Sequence, residues 1–372
     1  MPAIESITIH GFKSIAHCDA LKLTPINIII GANGSGKSNF IEVFAFLHAL
    51  RQGRLVEYVG KAGGAERVLH FGSKRTPELS ISIAFRQPEI EYSISLEPSK
   101  TDTLFPVLED CTQPFLDKGK QLYALQLLSN DGGEAGISRS PPANEFAETV
   151  QNHFGRWRLY HFHDTSSSSP MKKTCDLDDN HFLRPDGSNL AAFLYLLKSK
   201  YESEYEQICK SIQLVAPFFD DFRLQPSKLN EAKIRLEWQH TGTDQYFDAS
   251  SFSDGTLRFI ALATLLQQPA ELRPSVILLD EPELGLHPYA IQILASLIRG
   301  AASEGTQIIA STQSPLVLDQ FEPEDVLVAD RVNEGTEFKR LSSTELGDWL
   351  DDYSLGQLWE KNEFGGRPRV VK

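Results

Sequence analysis

The sequence predicts an α/β protein with a mixed sheet, an N-terminal antiparallel β subdomain and a helical lobe inserted in mid-chain. Three observations carry that prediction. The apolar run Ile26-Asn27-Ile28-Ile29-Ile30 leads directly into Gly31-Ala32-Asn33-Gly34-Ser35-Gly36-Lys37-Ser38 and then into a helical pattern. A second apolar run, Val276-Ile277-Leu278-Leu279, ends in the acidic pair Asp280-Glu281. Between the two lie alternating segments and a long stretch of helical periodicity.

The first stretch fits G-x-x-x-x-G-K-[ST]. Its glycines let successive backbone N–H groups turn inward around phosphate oxygens. Lys37 has the reach for β- and γ-phosphates, and the Ser38 hydroxyl suits Mg2+. Phe40, Phe44, Leu47 and Arg51 mark the turns of the following helix, with Ile41, Val43 and Leu50 widening its apolar face. A helix N-terminus is thereby aimed at the phosphates.

Composition narrows the class. The 372 residues are 41% hydrophobic and 23% charged, enough for one large domain or two ordinary ones. A net charge of −14 argues against a protein that coats nucleic acid, yet permits a local basic groove or a basic partner. The four cysteines, Cys18, Cys111, Cys175 and Cys209, are scattered without a C-x-x-C, as in a reducing cytosol. Glu5 interrupts the N-terminus before any apolar run forms, and no apolar stretch approaches the roughly 18 residues of a membrane span. A cytoplasmic protein with no membrane partner is expected.

Four segments are expected: residues 1–165 with the phosphate loop and the β subdomain, 166–222 as a helical insert or short arm, 223–345 as a C-terminal lobe, and 346–372 as helices and tail. Ser6 to His10 alternates as a strand, and a second alternating segment runs toward Leu23, so that two short strands feed the phosphate-loop strand. Lys13 stands between them, either approaching the nucleotide or solvated on a strand. Gly60 to Arg67 reads as a mobile, partly basic loop. Arg67 is a surface residue or a contact to phosphate or a dimer partner. Ser80–Phe85 and Tyr92–Leu96 form a hairpin, Tyr123–Leu128 a further strand, and Ser129–Asn144 a loop. These strands extend the first sheet.

Trp157 to His163 reads as a strand that places His161 and His163 on one face. With Cys175 or Asp176 the two could bind a metal; the preferred reading puts His163 and Asp164 near the nucleotide. Leu190, Leu194, Leu197, Tyr201, Tyr205, Ile208 and Ile212 recur at steps of three and four, predicting one helix of about 35 Å. It is a packing helix or, alternatively, a stub arm for a partner. Lys233 to Trp238 reads as a strand. Ser253 is a natural N-cap for a helix carrying Leu257, Ile260, Ala261 and Leu265 that ends before Pro269. A serine and glycine at such a helix start make a second anion site.

The acidic pair is the other chemical signal. Asp280 is suited to Mg2+, and Glu281, one residue on, to polarising an attacking water. Two adjacent buried acids with no cation would be costly. Pro288 opens the next helix. The strand Gln307–Ser311 is expected beside Val276–Asp280, bringing Gln313 to the γ-phosphate as a sensor. A closing hairpin, Val326–Ala329 with Phe338–Leu341, precedes acidic helices from Ser343 to Glu363 and a flexible tail at Gly365-Gly366-Arg367-Pro368.

In this order the segments resemble the ABC-type ATPase heads of the SMC, RecF and OLD (overcoming lysogenization defect) families. The phosphate loop corresponds to Walker A and Asp280-Glu281 to Walker B. Ser253-Asp254-Gly255-Thr256 corresponds to the signature, Gly285-Leu286-His287 to the D-loop, and Thr312-Gln313-Ser314-Pro315 to the switch. The Gly11-Phe12-Lys13-Ser14 segment and the ending around Leu358–Asn362 look most like compact prokaryotic ATPases. The resemblance implies an ABC-type P-loop ATPase head in which two subunits sandwich two ATP molecules. ATP would be held by Gly31, Asn33, Gly34, Ser35, Gly36, Lys37, Ser38 and Asn39 with Lys13. Mg2+ would be held by Ser38 and Asp280, and catalysis would be carried by Glu281, Gln313 and Lys37. Ser253, Asp254, Gly255 and Thr256 would reach the partner's γ-phosphate.

Two departures stand out: Ser-Asp-Gly-Thr replaces the fuller Leu-Ser-Gly-Gly-Gln, and Gln313 stands where many ABC ATPases have histidine. Both point to slow hydrolysis and to ATP as a clamp. More than two hundred residues separate Ser38 from Ser253. They lack long heptads or a zinc-hook C-x-x-C, and no nuclease signature follows Leu341. The implied role is a switch that controls a separate effector, a nuclease or toxin, in defence against phage. The rival is a RecF-like DNA-repair ATPase that binds DNA. A transporter ATPase is disfavoured by the long insert, and an inactive scaffold by the presence of both Lys37 and Glu281.

Overall fold

The structure, a computed structural model, describes residues 4–117, 120–128 and 133–366. The chain divides into two units, one running to Trp157 and resuming at Glu322, the other from Arg158 to Phe321.

The first unit holds a six-stranded antiparallel sheet. Its strands lie in the order Ile15–Lys22, Ile4–Phe12, Leu79–Arg86, Glu89–Pro98, Leu104–Asp117 and Lys120–Leu127. Alternation explains it. In Leu79–Arg86, Leu79, Ile81, Ile83 and Phe85 are buried while the residues between them are not. Such strands suit a sheet with one covered face. Phe85, Phe154 and Trp157 form an aromatic cluster over that face.

The strand Ile26–Ile30 is buried at every position and belongs elsewhere. It pairs in parallel with Val326–Val332, which pairs antiparallel with Gly335–Arg340, so this sheet is mixed. The first two strands therefore do not join the phosphate-loop strand in one sheet. Burial on both faces sends Ile26–Ile30 to an interior and half-burial sends its predecessors to the open sheet.

Residues 60–67 are not a loop. A helix, Leu55–Ala62, ends at Gly63 (φ 92°), and after Gly64 (φ 99°) a helical turn follows at Ala65–Val68. The glycines terminate one helix rather than marking a mobile segment. The long strand Leu104–Asp117 was not expected, because Pro106 and Pro114 obscure its pattern. Of the expected loop Ser129–Asn144, residues 129–132 lie outside the described residues, and the remainder holds a 3-10 turn at Gly136–Ser138. The C-terminal stretch forms three short helices, Ser343–Leu346, Trp349–Asp352 and Leu355–Lys361.

In the second unit the strands Val276–Asp280 and Gln307–Thr312 run parallel, with Asp280 opposite Ser311. The helix Pro288–Ser303 connects them. The expected single helix from Leu190 is two helices, Leu190–Lys200 and Glu202–Val215, broken at Tyr201 (φ −136°, ψ 57°). The Tyr201 hydroxyl donates to Glu271 outside both helices. Each helix buries its own stripe, so the three-and-four spacing runs through the break unchanged. Similarly, Lys233–Trp238 divides into Lys233–Ile234, paired with Cys175–Asp176, and Glu237–His240, paired with Phe219–Phe222 and Tyr246–Asp248.

Candidate nucleotide-binding site

The phosphate loop has the geometry its glycines predict. Gly34 and Gly36 take φ of 79° and 105°, values open to glycine at little cost. A Cβ on Gly31 would stand 2.3 Å from the Ala329 carbonyl oxygen, and one on Gly36 would stand 2.1 Å from Thr336 Oγ1. Lys37 Nζ donates to the Gly31 and Ala32 carbonyls at 2.7 and 3.0 Å, folding its ammonium back over the loop. Ser35 Oγ is buried without a hydrogen-bond partner. Asn33, Gly34 and Ser38 face outward. A glycine-shaped loop at a helix N-terminus, an ammonium and an orphaned hydroxyl together fit a polyphosphate.

A relay fixes the loop from behind. Asn39 Nδ2 donates to Ser14 Oγ (2.7 Å), Ser14 Oγ pairs with Thr336 Oγ1 (2.8 Å), and Thr336 Oγ1 donates to the Ser35 carbonyl (2.8 Å). Since the Thr336 proton is committed to Ser35, Ser14 must donate to Thr336, so one direction runs through the chain. Sequence reasoning found Asn39 but missed Ser14 and Thr336, which come from opposite ends of the chain. Lys13 is not on a strand: it sits in the turn after Ile4–Phe12 at φ 49°, and its ammonium pairs with Glu42. Arg67 is exposed on its helical turn. Gly366 packs against the loop, where a Cβ would lie 3.6 Å from Gly31 Cα, and Gly365 packs against the Asp330 carboxylate. Arg367 and Pro368 of the expected tail lie outside the described residues.

Asp280, Glu281 and Glu283 each take a partner from the end of the next strand. Asp280 Oδ1 accepts from the Ser311 hydroxyl, Glu283 Oε1 from the Thr312 hydroxyl, and Glu281 Oε1 from Gln313 Nε2. The parallel register, which sets Asp280 opposite Ser311, produces this pairing. Glu281 adopts φ 42°, a strained value for a residue with a side chain. Glu283, which sequence reasoning left without a role, is 9% exposed and its Oε2 has no partner. Burial pushes its carboxyl above the ordinary range, only partly offset by the Thr312 hydrogen bond. Asp280 offers the hard oxygen that Mg2+ takes, as does Ser38.

Ser253 caps the helix Asp254–Gln267: its Oγ accepts from Thr256 N at 3.1 Å and pairs with Thr256 Oγ1 at 2.8 Å. Asp254 Oδ1 lies 3.8 Å from Lys172 Nζ. Gly255 packs on the Gly285 carbonyl. His287 caps the next helix, accepting from Tyr289 N at 3.3 Å, with Leu286 half-buried beside it. Arg258, also missed, is buried and holds the Phe162 and His163 carbonyls at 3.0 and 3.1 Å. Its burial pulls the guanidinium below its usual range, against the charges of Asp254 and Glu283. The strand ends at Tyr160, so His161 and His163 follow it rather than share its face; their rings lie 6.2 Å apart. Burial lowers His161, opposed by Asp280. Among the described residues no group of three histidine, cysteine or acidic side chains is arranged to hold a metal.

The family described as "AAA domain, putative AbiEii toxin, Type IV TA system" matches residues 26–319, from the phosphate-loop strand to just beyond Gln313. The chain belongs to that family. As an AAA-type P-loop ATPase it shares its fold with SMC heads. An SMC head bound to the C-winged helix domain of ScpA is similar over 92% of this ATPase and 99% of that chain, with TM-score 0.60 and 16% identity. An Smc head with an extended coiled coil, bound to the C-terminal domain of ScpA derived from Pyrococcus furiosus, is similar over 95% and 99%, with TM-score 0.58 and 15% identity. These likenesses show a mixed α/β fold of the SMC-head type, with its N-terminal antiparallel sheet. Among curated proteins none matches this ATPase. No helix among the described residues is long and apolar enough to cross a membrane.

Proposed function

We propose that this AAA-type ATPase is a slow ATP-driven switch that closes head to head around nucleotide and controls a separate effector. The observation that carries the reading is Glu281, held at φ 42° with Oε1 on Gln313, one residue after Asp280. A carboxylate so fixed is suited to take a proton from an attacking water. Lys37 and the loop N–H groups are assigned to the phosphates, and Ser38 and Asp280 to Mg2+, which would neutralise phosphate charge. Gln313 both holds Glu281 and stands in the switch position.

Two features support closure with a second copy. Ser253 and Asp254 are exposed at a helix N-terminus, and Leu284 and Tyr289, which flank the Gly285-Leu286-His287 turn, are 51% and 47% exposed. The family's description, which names a type IV TA system, supports a role in defence; the separate effector, a nuclease or toxin, is part of the proposal. The deciding experiment is the mass of Glu281→Gln by light scattering with and without ATP and Mg2+. A rise to a dimer or higher that Lys37→Ala abolishes is expected. A mass that never responds, in a protein whose wild type hydrolyses ATP, would falsify the sandwich.

A further inference from the structure

We propose that the second unit carries a single-stranded nucleic-acid site, in a cavity separate from the residues assigned to ATP. The cavity has a volume of about 450 Å3 and is lined by Arg223, Lys228, Lys233 and Arg235, with Glu237 its one acidic wall residue. In a chain of net charge −14, four cations around one hollow are a local reversal of sign. Arg235 is paired to Glu237, and Lys233 to Asp176 at 2.7 Å. Arg223 takes neither acid: its guanidinium lies 3.8 Å from the ring centroid of Tyr246. Lys228 stands exposed on the tight loop that follows.

The aromatic ring decides the class of ligand. Tyr246 is 50% exposed and lines the cavity beside Arg223. A cation–π pair at the mouth of a basic hollow presents a stacking platform next to phosphate-binding charge. Carboxylates of an acidic peptide would use the cations but leave the ring idle. Paired bases cannot stack on it, so a duplex uses only half of the site. Gln225 and Asn230 add donors and acceptors for base edges.

The site is preformed. Arg223 N donates to the Glu237 carbonyl (2.9 Å), Ser227 N to Lys233 (2.8 Å) and Lys233 N to Asn230 (3.0 Å). Backbone bonds thus fix the strands and loop that carry the cations, so the ordering that binding requires is confined to side chains. The cavity volume lies within the range of about 300–1,000 Å3 usual for ligand sites. The proposal does not rest on the ATP-switch reading, because none of these residues is assigned to ATP.

The test is fluorescence anisotropy of the full chain, without ATP, on labelled oligo-dT and oligo-U of about 20 nucleotides. The wild type is expected to bind, with log K falling against log [salt] by about 0.7 per phosphate neutralised, up to about 3 for the four cations. Lys228→Glu should weaken binding about tenfold or more and flatten that slope by about 0.7 or more. Tyr246→Ala should weaken it about fivefold or more with the slope unchanged. Both positions are exposed, and both variants should retain wild-type ATPase activity and ATP-driven mass change. Those two readings report separately on the switch. The proposal is overturned if the wild type binds neither strand, or if both variants bind as the wild type does. It is also overturned if a duplex binds as tightly as the single strand, or if poly-glutamate competes while Tyr246→Ala has no effect.

Discussion

Gly255 and Gly285 touch backbone to backbone: a Cβ on Gly255 would stand 2.3 Å from the Gly285 carbonyl oxygen. The start of the helix Asp254–Gln267 is thereby seated on the turn after the acidic pair. Gly285 needs its φ of 76°, and a Cβ there would lie 3.0 Å from Arg258 Nη1. Arg258 in turn holds the Phe162 and His163 carbonyls. The orientation of the exposed Ser253 is therefore set by a glycine contact two residues away.

That contact makes Gly255→Ala a sharp test. Backbone has to move to admit the methyl, at a cost of about 1–3 kcal/mol, and the Ser253 cap moves with it. A urea melt should show the loss of stability, and ATP-dependent association should weaken at least about tenfold if that contact seats the signature. Ser253→Ala, which removes only the cap, should cost about 1 kcal/mol. If Gly255→Ala melts and associates like the wild type, the contact has no role in placing Ser253.

Glu281 and Gln313 should separate in steady-state kinetics. Glu281→Gln keeps an oxygen for the Gln313 amide but removes the base, so kcat should fall by about 10²–10⁴ while ATP still binds. Gln313→Leu removes the donor and frees the carboxylate's orientation. A fall in kcat of about tenfold with KM little changed is expected. A KM effect confined to Gln313→Leu would mean that Gln313 binds ground-state nucleotide rather than positioning the base.

How much was legible in the sequence followed from where each signal resides. The phosphate loop and the acidic pair were readable because their chemistry is contiguous: Gly31 to Ser38 in one stretch, Asp280-Glu281 in another. The Ser253 cap and the parallel partner of Val276–Asp280 were readable for the same reason. Ser14 and Thr336 were not, since their link to Ser35 exists only once the first and last strands of the unit have folded. Arg258 lay unremarked within a helical pattern, as any cationic helix residue would. The break at Tyr201 was hidden because each helix preserves the same apolar step, and Leu104–Asp117 because its prolines read as turns. Local chemistry shows in a sequence; contacts between distant segments do not.

Thr336→Val tests the relay behind the phosphate loop. The substitution keeps the shape but leaves the Ser35 carbonyl and the Ser14 hydroxyl each short of a partner. A buried unsatisfied group costs about 1–3 kcal/mol. Part of that should appear in the melt and part as ATP affinity lowered by about fivefold or more, read by isothermal titration. Unchanged affinity would show the loop to be fixed by its own glycines and Lys37 alone.

Glu283 gives the fold a pH dependence of known sign. Burial raises its carboxyl above the ordinary 4.5, so the folded state holds the proton more tightly than the unfolded chain does. The stability it contributes is full below about pH 4.5 and is lost as pH rises through the raised folded value, because there the folded state binds more protons. Glu283→Gln removes that titration. Its amide oxygen still accepts from Thr312, and its amide nitrogen replaces an oxygen, Oε2, that has no partner. Urea midpoints of both proteins, taken without nucleotide or Mg2+ at pH 5 and pH 8, should show the variant gaining on the wild type at the higher pH. If instead the wild type gains on the variant as pH rises, Glu283 is stabilised as a carboxylate by a charge in the folded protein and burial is not what governs it.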